Sequence, residues 1–224
     1  MGREPLRRGF GSGGGGGYPA PAFTTFDIDS QPNPIEVGDL SLANPTFQWS
    51  TSHPTNVQPN TIALDDITGT TNIATGLANS GSYAATYAAI QKLVATFNRF
   101  RITGQNSNLA LFTRNYDITW QWRGYYGESA VEPLTEAQIK ALRVGALISG
   151  FAGTRAFLGG GYKYICYPAV LGTATVFRDA DTGFLVAMEA PYTISVTNAY
   201  GVATNYNVHR TTWQLGGAIN IAVS

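Results

Sequence analysis

The sequence is poor in charge, in cysteine and histidine, and in long apolar runs. Charged residues make up 12% of its 224 positions, about half the usual ~25%. Fourteen basic residues balance fourteen acidic ones. A neutral chain lacks the basic face that neutralises phosphates, so no nucleic-acid partner is expected. The single cysteine, Cys166, cannot close an internal disulfide. That excludes a disulfide scaffold and fits folding in a reducing cytosol. No run of ~18 apolar residues occurs, so no membrane span is expected. The first residues carry no apolar h-region, and Leu6 stands where a myristoylation motif takes Ser or Thr. Two histidines and one cysteine leave few ligands for zinc. No cofactor or metal is expected.

What is present is apolar and aromatic. Hydrophobic residues reach 44%, too many for a disordered chain. A chain of this length buries roughly 70% of its unfolded surface, enough for a real core. Low net charge also removes a defence against self-association, so a homo-oligomer is expected.

Residues 1–17 stand apart. Eight of the seventeen are glycine, and Arg3, Arg7 and Arg8 against Glu4 give +2. The remaining chain, with eleven basic and thirteen acidic residues, carries −2. Glycine runs order at high entropic cost, so this segment reads as a flexible Gly-rich arm. It is either a passive tail or a docking arm that sets Arg3, Arg7 and Arg8 on a neighbour's carboxylates and Phe10 in an apolar pocket.

Residues 18–127 read as a β-sandwich. Short runs such as Phe23 to Ile28, Pro45 to Trp49 and Thr61 to Leu64 are separated by turn residues. From Leu109 to Trp122 apolar residues alternate, with Trp120 and Trp122 inward. Residues 82–97 are ambiguous. Tyr83, Tyr87, Ile90, Val94 and Phe97 recur at helical spacing among five alanines, yet a sandwich needs strands there.

Residues 128–224 read as one helix followed by an antiparallel meander. Thr135 to Gln138 forms a capping box, with an apolar stripe through Ile139, Leu142, Ala146 and Leu147 and a stop at Gly150. Strands follow at Tyr162–Tyr167, Thr173–Phe177, Phe184–Met188, Tyr192–Thr197, Thr204–Arg210 and Ala218–Val223. Arg178 to Gly183 and Asn198 to Gly201 supply the turns. The fold class is therefore mainly β: an Ig-like β-sandwich, then a small one-helix antiparallel β module, preceded by the arm.

Little in this pattern carries catalysis. Asp179-x-Asp181-x-Gly183 begins like a calcium loop, but its glycine is fifth rather than sixth and the twelfth position is Ala190. A hairpin turn accounts for it, and a turn also accounts for Asp65-Asp66. Cys166 and His209 are the residue types of a cysteine protease, but Cys166 sits mid-strand as a small buried hydrophobe. Glu128, Glu132 and Glu136 recur at the helix entry, where the dipole favours negative charge. Alternation places His209 and Arg210 on opposite faces of one strand. Trp120, Trp122, Tyr125 and Tyr126 crowd around Arg123, either as a core joint or as a docking surface. Tyr125, Tyr126, Tyr192, Tyr200 and Tyr206 form the expected contact surface for a glycan or protein.

Several motifs in residues 125–224 resemble a module of tailed-bacteriophage virion structural proteins, tail-fibre proteins above all. They are Tyr125-Tyr126-Gly127-Glu128-Ser129, Leu134-Thr135-Glu136-Ala137-Gln138-Ile139, and Gly160-Gly161-Tyr162-Lys163-Tyr164-Ile165-Cys166-Tyr167-Pro168. Asn198-Ala199-Tyr200-Gly201, Thr204 to Arg210 and Leu215 to Ile221 continue the order. The resemblance implies a non-enzymatic component of the tail, baseplate or fibre, located in the virion and assembled in the host cytoplasm. Other virion proteins would be reached through the arm, with a host surface glycan or protein as a further partner. Capsid decoration and carbohydrate-binding receptor adhesion are the alternative roles.

Overall fold

The computed structural model describes residues 19–29 and 31–224. The arm residues Arg3, Arg7, Arg8 and Phe10 lie outside the described residues. The structure is mainly β, with antiparallel sheets and one α-helix among the described residues.

The first half contributes β1 (Phe23–Asp29), β2 (Ile35–Glu36), β3 (Leu40–Ser41), β4 (Thr46–Thr51), β5 (Ile62–Asp66), β6 (Thr71–Leu77), β7 (Gly81–Ala84), β8 (Ile90–Gln91) and β9 (Thr96–Gln105). The long β10 (Leu111–Ser129) follows. Strands β1, β4 and β7 form one sheet in the order β1-β4-β7. Facing it, β10, β9, β5 and β6 lie side by side within a larger sheet. The two layers meet through aromatic side chains. Phe47 of β4 meets Phe100 of β9 edge-on at 5.2 Å, and Phe23 of β1 lies 4.8 Å from Phe112 of β10. Ile28, Trp49, Ile62, Leu64, Ile102, Ile118 and Trp120 complete this core. Small β3 and β8 pair with each other beside it.

Residues 82–97 are not helical. They supply most of β7, then β8, then the start of β9. Tyr83, Tyr87 and Ile90 pack half-buried on the core, whereas Val94 and Phe97 are exposed. Their spacing therefore never formed one face. Tyr87 is held by a hydroxyl bond to buried Asp66, which also accepts from Gly69 N (2.8 Å) and Asn98 Nδ2 (3.0 Å).

The boundary expected at 127/128 falls inside β10. Its first half pairs with β9, from Leu111↔Gln105 to Trp120↔Thr96. Its second half pairs on one side with β11 (Val144–Ile148) and on the other with β13 (Tyr162–Pro168). One core ends at Trp122 and the next begins at Tyr125, so a single strand serves both.

Beyond β13 the sheet continues through β16 (Ala203–Arg210) to β15 (Tyr192–Thr197). One face is covered by α1 (Glu136–Lys140) and its flanking residues. Leu134, Ile139 and Leu142 pack there on Tyr125, Tyr164, Cys166 and Tyr206. The other face is covered by the small sheet of β12 (Gly153–Phe157), β17 (Ile219–Val223) and β14 (Phe177–Asp179), in the order β12-β17-β14. There Phe157, Phe177, Ile221 and Val223 pack on Ile165 and Tyr167.

The capping box is present: Thr135 caps α1 and Gln138 answers to the Thr135 N–H (2.9 Å). The helix, however, ends at Lys140 rather than near Gly150. Ala146 and Leu147 belong to β11, whose ladder from Trp122↔Ile148 to Tyr126↔Val144 pairs an edge of β10 that a continued helix would leave open. Thr173 to Val176 is also not strand, and Phe184 to Met188 makes isolated bridges only.

Candidate functional site: an apolar groove at one end of the long sheet

The expected tyrosine surface is mostly interior. Tyr206 is buried, donates to the Arg123 carbonyl (2.5 Å) and lies 6.0 Å from the ring of buried Tyr125. Alternation turns both toward α1, so neither faces a partner. Tyr126 packs edge-on to Phe157 at 5.8 Å under the Arg155 guanidinium. Tyr192 accepts a hydrogen bond from Leu134 N (2.9 Å). Only Tyr200 of the five is exposed, in the turn between β15 and β16, against Gly38 of the first half. That turn is part of a latch between the halves. Asn198 Nδ2 donates to Val37 O (2.5 Å), while Arg123 donates through Nε and Nη2 to Glu36 Oε2 (3.1 and 2.7 Å).

Cys166 and His209 lie on opposite faces of the sheet, Cys166 toward α1 and His209 toward Phe177 and Tyr167. Burial pushes the Cys166 thiol up and away from thiolate. Tyr167 O accepts from Ala174 N (2.7 Å) and shares a hydrogen bond with His209 Nε2 (2.8 Å). The imidazole is neutral at pH 7. Desolvation holds its pKa down to about 4. Arg210 turns the other way, over the Tyr162 ring at 4.4 Å and paired with Glu132. Of the three glutamates assigned to the helix entry, only Glu136 is in its first turn. Glu128 accepts from the N–H groups of Leu158 and Gly159 (3.0 Å for the latter) and faces Arg143.

Exposed apolar side chains gather elsewhere. Asp179 Oδ1 accepts from Asp181 N (2.9 Å) and Thr182 N (3.4 Å), and Gly183 takes φ 78°, so the chain reverses after β14. Residues 184–189 then run extended. They bridge β14 through Arg178↔Leu185 and the end of β16 through Met188↔Thr211. Val186 and Met188 turn inward; Phe184 and Leu185 are left 76% and 70% exposed. Opposite them the 211–217 loop presents Trp213, 59% exposed. Together with Leu215, Ile219, Asp179, Thr182 and Thr211 they line a groove of about 310 Å³.

The loop carrying Trp213 is pinned from below by Lys163, which the sequence places in the strand Tyr162–Tyr167 without marking it as a site. Its side chain is fully buried, and Nζ donates to the carbonyls of Gly159 and Gly217 (3.1 Å for the latter). Lys163 N also donates to Thr211 Oγ1 (3.1 Å), and that hydroxyl donates to Trp213 O (2.8 Å). Desolvation lowers the ammonium pKa, opposed by nearby Glu128. The signal in the sequence was a lone lysine set between two glycine clusters, whose carbonyls need donors.

Among the described residues no group of three or more His, Cys, Asp or Glu is placed to hold a metal ion, and no helix is long and apolar enough to cross a membrane. The chain matches no family model, no curated protein and no solved structure.

Proposed function

We propose that this chain is a structural protein of a tailed-bacteriophage virion, placed in the tail, baseplate or fibre region, where it acts in assembly or host attachment without catalysis. The observation that carries the reading is the groove at Phe184, Leu185 and Trp213. Large apolar side chains clustered on the surface of a weakly charged chain mark a contact that another chain covers. The motif resemblance supports it from a second direction. Its residues build β13, the capped helix, the 198–201 turn, β16 and the strand β17 with the chain that leads into it. The strand orders β1-β4-β7 and β10-β9-β5-β6 support an Ig-like sandwich for the first half, since such sandwiches split their strands in this way between two facing sheets.

A glycan-binding role is less well supported. Exposed Trp and Phe rings suit a sugar face, but the groove lining is mostly aliphatic and aromatic, with Asp179, Thr182 and Thr211 its polar members. The test is to purify particles and ask, by quantitative mass spectrometry, whether the chain is a stoichiometric component. Its absence from washed particles refutes the reading. Turnover of a host polysaccharide by the purified chain, lost in Glu189→Gln, refutes the non-catalytic part.

A further inference from the structure

We infer that the groove seats the N-terminal arm of a neighbouring copy, so that copies join head to tail. The inference rests on the assembly role proposed above and names the partner: a second copy of this chain.

The root of the arm and the groove lie at opposite ends of β10. Pro19 O accepts from Asn56 Nδ2 (3.0 Å), and Asn56 O accepts from Ser107 N (3.0 Å), in the turn that enters β10 at Leu111. At the far end Ser129 pairs with Tyr162, and adjacent Gly161 exchanges two backbone bonds with Leu215 of the groove (3.1 and 3.0 Å). A 19-residue strand covers about 60 Å at ~3.3 Å per residue. Phe10 precedes Pro19 by nine positions, which span ~32 Å at full extension. Leu6 is limited in the same way to ~47 Å. Phe10 falls well short of the groove of its own chain, and a neighbour's groove carries no such limit.

The chemistry of the two parts is complementary. Leu6 and Phe10 bracket Arg7 and Arg8, giving an apolar–cationic–apolar segment. The groove offers Phe184, Leu185 and Trp213, with Asp179 at its edge and Asp181 in the adjoining turn. Backbone N–H donors hold the Asp179 carboxyl below its ordinary range, so it is charged at neutral pH. Arg178, in the same turn, offsets one of these charges and leaves the edge net negative. Exposed Leu109 and Leu111 lie nearer the root, but the charged group closest along that stretch of β10 is Arg114, which repels the arm. Because the contact joins two different surfaces, it is heterologous and builds a ring or an open filament.

Two half-blind chains test this. Phe10→Asp disables the arm and keeps the groove; Trp213→Asp disables the groove and keeps the arm, with Leu185→Asp as its replacement should Trp213→Asp fail to fold. By sedimentation velocity the full-length parent should associate with rising concentration, and each variant alone should be monomeric. An equimolar mixture of the two should form a 1:1 dimer that grows no further. A monomeric parent overturns the inference, as expected if the arm folds back on its own Leu109 and Leu111. Association of Phe10→Asp at parental strength overturns it in favour of groove-to-groove pairing, and a mixture that stays monomeric overturns it too. Absence of the chain from particles would refute the virion role and leave the mixing result intact.

Discussion

Lowering the pH should destabilise this fold through one residue, His209, before the carboxylates begin to matter. The imidazole is buried between Tyr167 and Phe177, with ring centroids at 5.4 and 4.9 Å, and its Nε2 shares a hydrogen bond with the Tyr167 hydroxyl. Its pKa falls from 6.5 to about 4 on folding because burial disfavours the cation. The unfolded chain therefore binds the proton first as pH drops. Stability declines from about pH 6.5 down to the folded-state value near 4 and then levels off. Linkage between those two pKa values gives a loss of about 2 kcal/mol between pH 7 and pH 5, rising to about 3 kcal/mol at pH 4. The carboxyls of Asp117, Glu128, Glu136 and Asp179 are all shifted downward, so their losses come at lower pH. Urea unfolding at pH 7, 6 and 5 measures the effect, with His209→Gln as the control. Gln offers Tyr167 both a donor and an acceptor and removes the titration. The parent should lose stability over this interval and the variant should not. Equal slopes for both would refute the assignment.

Three substitutions probe the rest of the framework. Lys163→Ala leaves the Gly159 and Gly217 carbonyls without their donor and opens a cavity, so it should cost about 3–5 kcal/mol; Lys163→Met should cost less, and chemical denaturation ranks the two. Asp66→Ala orphans Gly69 N, Asn98 Nδ2 and the Tyr87 hydroxyl, for a loss of about 3 kcal/mol, read as a fall in Tm of roughly 10 °C. Thr135→Ala removes the cap of α1 and should cost about 1 kcal/mol, visible as faster amide exchange in residues 136–141 with the sheet unchanged.

Features written in a few consecutive residues were legible in the sequence, and those that depend on distant partners were not. The Thr135–Gln138 capping box and the Asn198–Gly201 turn were read correctly because each closes its own hydrogen bonds. The length of β10 was missed because Gly124 and Gly127 look like breaks. They are instead close approaches: a Cβ at Gly124 would lie 2.6 Å from Ile148 Cδ1, and one at Gly127 2.8 Å from Arg143 N. Residues 82–97 misled because three half-buried side chains on separate extended segments happened to fall at helical intervals. The tyrosine surface failed for a related reason. Tyr206 lies between Asn205 and Asn207 and Tyr125 between Gly124 and Tyr126, so neither pattern marks its own side as core, and only the presence of α1 decides which face is inside. The groove was invisible for the converse reason, since Phe184, Leu185 and Trp213 read as core until the layers are known.

The position of the chain in an intact particle tests the central claim most directly. Electron cryo-microscopy of whole particles should show copies arranged in order around the tail, baseplate or fibre, the N-terminal segment of each resting against Phe184 and Trp213 of the next. Copies spread over the capsid shell, or no density for the chain anywhere in the particle, would contradict the account.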